Sequence, residues 1–261
     1  MPRNLKLTLA YDGHDFAGWQ VQPDRMTIQG TLVSVFEHLT GETTLPQGSG
    51  RTDAGVHALA QTASVTLESP IPAPNLVRAL NDVLPRSIRV LAVQEMPPEF
   101  LARKSALAKT YQYRIFRGEI CSPFLARYVY HHPYPLDESR MIQAARLVEG
   151  EHDFTSFAAV DPENRKDVAD RSDAAERNEP NNVRTIYRSE WTRHADELHY
   201  TVRGNGFLHH MVRNLVGTFL MVGKGSLKIE DVRRILELRD RSAASATAPA
   251  SGLFLVNVEY E

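Results

Sequence analysis

GSGRTDAGVHALAQTASVTL, residues 48–67, joins a glycine-spaced loop directly to a run of small and β-branched side chains. The glycines let the backbone turn sharply and approach a ligand closely, and the run from 56 to 67 reads as a strand. A phosphate-binding P-loop needs a Gly-Lys-Ser/Thr ending that opens a helix. Here neither the lysine nor the helix is present, which excludes a Walker motif. Upstream, Thr27 is a plausible N-cap, and Ile28, Leu32, Val35, Phe36 and Leu39 recur at helical spacing until Gly41. Downstream, Leu76, Val77, Leu80, Val83 and Leu84 repeat the pattern up to Pro85, and residues 88–93 read as a strand.

Further out, Leu5, Leu7, Leu9 and Tyr11 alternate with Lys6, Thr8 and Ala10, the period of a half-buried strand, before Asp12-Gly13 supplies a turn. In the second half, Tyr111, Tyr113 and Ile115 share one strand face, and Gln112, Arg114 and Phe116 share the other. A helix beginning at Asp137, strands near 186–191 and 198–202, two more helices and a final strand at 253–260 complete the order. The expected class is α+β: the strands are too interleaved with helices for a bundle and show too few strict βαβ repeats for a doubly wound sheet. Two subdomains are expected, 1–105 and 106–261. Residues 161–182 stand apart, with seven acidic and four basic side chains and almost nothing to bury; a mobile loop is expected there.

The 261 residues are 42% apolar and 24% charged, enough to bury a sizeable core. A formal charge of -2 gives no global basic field, so any polyanion site must be local. Removing the formal -3 of residues 161–182 leaves +1 on the rest. A single cysteine, Cys121, excludes an intrachain disulfide and a multi-cysteine zinc site, and fits a reducing compartment. The N-terminus lacks a signal-peptide pattern, and the longest mostly apolar stretch, 215–222, is far shorter than the roughly 20 residues of a membrane helix. A cytoplasmic protein with no membrane partner is expected.

Three groups of residues could carry chemistry. Arg51, Thr52 and Asp53 crowd one tight loop, where a guanidinium would keep a carboxylate ionised and oriented as nucleophile or base. The same local pattern also suits an Asx-type turn, in which Asp53 bonds its own backbone. After Gly204-Asn205-Gly206, Leu208, Met211, Val212, Leu215, Val216 and Phe219 form an apolar helical stripe, which sets His209, His210, Arg213 and Asn214 away from it, either on an ordinary solvated face or on a helix whose Arg213 pairs with a buried acid. Adjacent histidines on a helix point in different directions, so no metal is expected. Tyr111 and Tyr113 read either as core aromatics or as a stacking platform for a base, with Arg103, Lys104, Lys109, Arg114 and Arg117 as a surrounding phosphate-binding patch.

Taken together, LTLAYDGHDFAGWQ with Gln29-Gly30 beyond it, GRTDAGVHALAQ, KTYQYRI, GNGFLHHMVRNLVG and SGLFLVNVEY follow one another as they do in the bacterial tRNA pseudouridine synthase A family, which the chain resembles over nearly its full length. Residues 161–182 depart from that pattern in length and charge. The resemblance implies a pseudouridine synthase fold, with two pseudo-symmetric α/β halves, a joined mostly antiparallel sheet flanked by helices, and a central active-site cleft. It implies a homodimer acting on tRNA, isomerising uridine to pseudouridine at positions 38, 39 and 40 of the anticodon stem-loop without a cofactor. It also implies that Asp53 is the catalytic carboxylate, with Arg213 and Tyr111 as catalytic partners, Tyr111 and Arg51 as substrate-binding residues, and Leu253 and Leu255 in the dry floor of the pocket. The competing readings are a non-catalytic RNA-binding module and a synthase for another RNA site. A mere binder has no use for a carboxylate facing phosphates.

Overall fold

Alternating apolar side chains make residues 3–11 a strand with one face fully buried, and in the computed structural model Leu5, Leu7 and Leu9 have no exposed surface. The structure describes residues 2–159 and 181–261. These fall into two compact units, Met1–His132 with Ala250–Glu261, and Pro133–Pro249. The expected mobile loop at 161–182 falls almost wholly outside the described residues.

The first unit contains β1 (Arg3–Tyr11), α1 (Ile28–Thr40), β2 (Gln47–Gly48), β3 (His57–Leu67), α2 (Ala73–Val83), β4 (Ile88–Met96), β5 (Ala108–Phe116), β6 (Tyr130–His131) and the C-terminal β10 (Leu253–Glu259). Its main strand order is β4-β1-β3-β10-β5, with β2 on β3 and β6 on β5. Pairing is antiparallel except β10 on β3 and β6 on β5. The last strand is therefore a central one, and it sets Leu255 directly opposite Tyr111. Against β3, β1 slips register between Leu9 and Tyr11, a bulge where the strand delivers its end to the following loop.

Helix ends follow the sequence. Thr27 Oγ1 accepts the Gly30 N–H at 3.1 Å, and Gly41 closes α1 with φ +74°, its N–H donating to the Glu37 carbonyl. Pro72 precedes α2 and Pro85 follows its end. Val83, expected on the apolar stripe of α2, is instead 41% exposed.

His57 opens β3 and ties three segments of this unit together. Its Nδ1 accepts the Gly13 N–H at 3.1 Å, Nε2 lies 3.0 Å from the Arg127 carbonyl, and the ring stacks on Phe254 with centroids 4.7 Å apart. That pattern puts the single proton on Nε2. Asp12 Oδ1, 3.1 Å from Nδ1, would favour a second proton, but burial outweighs it and pulls the imidazole below its ordinary pKa.

The second unit holds α3 (Glu138–Arg146), β7 (Gly150–Asp153), β8 (Val183–His194), β9 (Glu197–Gly204), α4 (Met211–Gly223) and α5 (Asp231–Leu238). Its strands pair antiparallel in the order β9-β8-β7. The helix begins at Asp137 as expected, and the Asp137 side chain caps α3, accepting the Arg140 N–H at 3.0 Å. Both units are thus α+β, with mostly antiparallel strands and helices, as the sequence predicts.

The reading of α4 needs correction. Eleven of its thirteen residues are buried, so it is a core helix and not one with a solvated face. Asn214, expected on the polar side, has no exposed surface. Its Nδ2 donates to the Phe157 carbonyl at 2.7 Å, and its Oδ1 accepts from Thr247 Oγ1 at 2.6 Å and Arg241 Nη2 at 3.1 Å. Segment 240–249 lies against this helix so closely that a Cβ on Gly217 would stand 2.0 Å from the Ala246 carbonyl oxygen. An amide in a core is tolerated when every polar group has a partner, and this one ties two other segments, around Phe157 and at 240–249, to the helix.

Two predictions follow from this packing. Asn214→Ala strands the Phe157 carbonyl in the core and should lower unfolding free energy by about 1–3 kcal/mol, read from the urea midpoint. For His57, the unfolded chain takes up a proton as pH falls below about 6.5 while the buried ring resists it. Its stabilising contribution is therefore full above that pH and shrinks on acidification, so wild type should lose more stability between pH 7.5 and 5.5 than His57→Gln. Equal losses would show that His57 is not held neutral.

Candidate active site

Two backbone segments meet around Asp53 at distances only glycine permits. A Cβ on Gly13 would lie 1.9 Å from the Val56 carbonyl oxygen, and one on Gly18, which has φ +95°, would lie 2.7 Å from the Thr52 carbonyl oxygen. The approach is bridged by hydrogen bonds: the Trp19 N–H donates to the Thr52 carbonyl at 3.0 Å, and the Gly55 N–H to the Phe16 carbonyl at 3.3 Å. Val56 N–H closes a turn onto the Asp53 carbonyl at 3.1 Å, with left-handed Gly55 at its third position, φ +77°. Asp53 thus sits at the head of a tight turn that feeds straight into β3.

Side chains fix the incoming arm of the loop. Gln61, fully buried in β3, donates from Nε2 to the Gly50 carbonyl at 3.0 Å and accepts at Oε1 from Ser49 Oγ at 2.8 Å. Tyr11, at the end of β1, places its hydroxyl 2.9 Å from Thr52 Oγ1. Burial pushes this phenol up to about 12, so it stays protonated. Lys109 Nζ donates to the Ser49 carbonyl at 2.6 Å.

Tyr111 is 8% exposed on β5, opposite the wholly buried Leu255, and Leu253 stands opposite Tyr113. Burial raises its phenol strongly, and the nearby Tyr11 and Asp53 raise it further. The negative carboxylate and the tyrosine are therefore neighbours in the first unit. A phenol in that position retains its proton, and a phenolate is costly there. Arg51, two residues before Asp53, is exposed.

Arg213 belongs to the second unit, in the first turn of α4, and is partly buried. Its Nε donates to the Ala248 carbonyl at 2.8 Å, while its own carbonyl accepts the Ala248 N–H at 3.1 Å. This reciprocal pair fixes the guanidinium stem. His209 and His210 do not lie on the helix: His210 caps it with φ +60°, and the two rings approach to 4.0 Å between centroids. The divergence expected of neighbouring helical histidines does not apply to them.

The basic patch is also less uniform than its composition suggests. Lys109 is drawn in to the Asp53 loop, and Arg117 Nη1 lies 3.0 Å from His132 Nδ1. Arg103 and Lys104 are exposed. Tyr11 and Gln61 have no place among the site residues expected from sequence. Gln61 is a polar residue breaking an apolar strand face, which periodicity registers only as noise, and Tyr11 reads as one more apolar position of β1.

Comparison with known proteins bears on this geometry. The model of the family described as tRNA pseudouridine synthase matches residues 8–103 and 144–261, which include Arg51, Asp53 and Arg213 but not Tyr111. The tRNA pseudouridine synthase A of Solibacter usitatus (strain Ellin6076) is 51% identical over 259 residues, covering 99% of this chain and 100% of the relative. That of Geobacillus sp. (strain WCH70) is 42% identical over 262 residues, covering all of both chains. That of Caldicellulosiruptor bescii (strain ATCC BAA-1888 / DSM 6725 / KCTC 15123 / Z-1320) is 40% identical over 258 residues, covering 99% and 100%. The relatives' coverage spans the β5 segment that the family model leaves out.

Proposed function

The chain belongs to the tRNA pseudouridine synthase family, and from that premise we propose that it isomerises uridines 38, 39 and 40 of the tRNA anticodon stem-loop, with Asp53 as the catalytic carboxylate. The observation that carries this reading is the placement of Asp53: a carboxylate at the head of a turn locked on both sides, beside a buried aromatic ring. Binding RNA alone would be hindered by that charge, whereas breaking a glycosidic bond uses it.

The reaction breaks the bond between uracil N1 and ribose C1′, turns the base in place, and joins C1′ to C5. N1 ends with the proton that C5 gives up, so nothing enters or leaves. Asp53 serves either as nucleophile at C1′ or C6 or as the base of a glycal route. Tyr111 offers its ring for stacking, and its raised pKa favours that role over proton removal in the resting enzyme. Leu255 and Leu253 make the floor dry. A paired uridine must first leave its stack, at about a few kcal/mol, and exposed Arg51 is the residue to fill the gap or hold the phosphate. Arg213 is the catalytic cation, oriented through Ala248. No cofactor or metal takes part in this scheme. The same reading makes the enzyme a cytoplasmic homodimer, and among the described residues no helix is long and apolar enough to cross a membrane.

Asp53→Asn should abolish turnover while tRNA affinity changes by less than about tenfold, ~1.4 kcal/mol. Product mapping on an unmodified tRNA transcript in EDTA should show pseudouridine at 38 to 40 with wild type only. Product elsewhere would reassign the target, and turnover by Asp53→Asn would remove this residue from the mechanism. Affinity should fall as salt rises, despite the net charge of -2, because the phosphate contacts are local; a flat titration would contradict that.

A further inference from the structure

Gln61 is an uncharged polar side chain with no exposed surface in the middle of β3, a position where an aliphatic residue would pack at less cost. All of its hydrogen-bonding capacity is committed. Oε1 accepts from Ser49 Oγ at 2.8 Å and the Thr62 N–H at 3.1 Å; Nε2 donates to the Gly50 carbonyl at 3.0 Å and to the Tyr11 hydroxyl at 3.4 Å. Tyr11, having accepted from Gln61, has its own proton to give Thr52 Oγ1 at 2.9 Å. The chain of contacts starts on two sheet strands and ends on Thr52, the residue immediately before Asp53.

We propose that Tyr11 and Gln61 are positioning residues for Asp53: a buried, uncharged network that grips residues 49–52 and so sets where the carboxylate stands. The proposal rests on the reading of Asp53 as the catalytic carboxylate. Neither side chain touches substrate in it; both act through the loop. The geometry separates this from ordinary core packing. Three of the four groups that Gln61 engages belong to the loop or to Tyr11. The Tyr11 hydroxyl, 4% exposed as a residue, reaches past its own strand to Thr52. Its phenol, pushed up to about 12 by burial, keeps its donor throughout the useful pH range. A catalytic group misplaced by about 1 Å loses on the order of a hundredfold in rate, so a loop held by three or four hydrogen bonds is sensitive to losing one.

The test uses the full chain and unmodified tRNA transcript, with kcat and KM for Tyr11→Phe and Gln61→Glu beside wild type and Asp53→Asn. Tyr11→Phe removes one oxygen from the network and should lower kcat on the order of tenfold, with KM within about threefold and circular dichroism unchanged at the assay temperature. Gln61→Glu keeps shape but, ionised, sets an oxyanion against the Gly50 carbonyl. Protonated, it regains one donor. Its kcat relative to wild type should therefore be lowest near pH 8 and recover toward pH 6, a dependence that mere loss of stability does not produce. Folded variants with wild-type kcat, or with a defect confined to KM, would overturn the proposal. Tyr11→Phe decides alone should Gln61→Glu not fold. Turnover by Asp53→Asn in the same assay would instead sink the underlying reading of the site, whatever the other variants do.

Discussion

Backbone meeting backbone without side chains between is the constraint on which the site depends. Residues 12–19 and 51–56 pass each other so closely that Gly13 and Gly18 face carbonyl oxygens where any Cβ would collide. Hydrogen bonds from Trp19 and Gly55 across that seam satisfy groups that would otherwise be buried unpaired. The loop bearing Asp53 is thus part of the β1 turn as much as of its own strand. Its position is set by main-chain geometry, which does not relax by changing rotamer, and the register slip at the end of β1 is where the strand yields to it.

The second determinant is the path of the C-terminal strand. By inserting between β3 and β5, β10 supplies a central strand from the far end of the chain and puts Leu255 opposite Tyr111. Residues separated by 144 positions must meet before the aromatic ring has a floor. Contacts of that range are slow to form, and the parallel β10–β3 pairing adds another between His57 and Phe254. The arrangement places the pairing of Leu255 with Tyr111 on elements that are complete only when the whole first unit has folded.

Elements with a strong period were legible in the sequence: the alternation of residues 5–11, the Thr27 cap, the helix start at Asp137 and the two faces of β5 all stand where spacing put them. What was illegible shares a physical cause. Asn214 reads as polar and hence solvated, yet is enclosed because its amide joins three segments distant in sequence. Lys109 reads as a phosphate contact, yet turns to the Ser49 carbonyl. Gln61 interrupts an apolar strand face, and Tyr11 reads as one more apolar position in an alternating strand. A buried polar group is defined by its partner, and a one-dimensional pattern carries no information about partners. The chemistry of the GRTDAGVH loop was suggested by its residue types, while the reason for its rigidity lay in glycines and a tyrosine some forty positions away.

That Tyr11 and Gln61, which grip the loop beside Lys109, are neutral has a consequence for an enzyme whose substrate is a polyanion. Contacts to phosphate weaken steeply with salt, because released counterions enter the equilibrium. Exposed ion pairs vary in strength with the same ionic conditions that govern binding. Tyr11, Thr52 and Gln61 are buried and uncharged at neutral pH, so the hydrogen bonds among them are shielded from that variation. On the proposed reading, capture of the RNA and placement of the carboxylate are then separable: the first belongs to exposed arginines such as Arg51, the second to the sheet. Changes in salt should alter how often the substrate is held and leave the buried hydrogen bonds of Tyr11 and Gln61 to the loop in place.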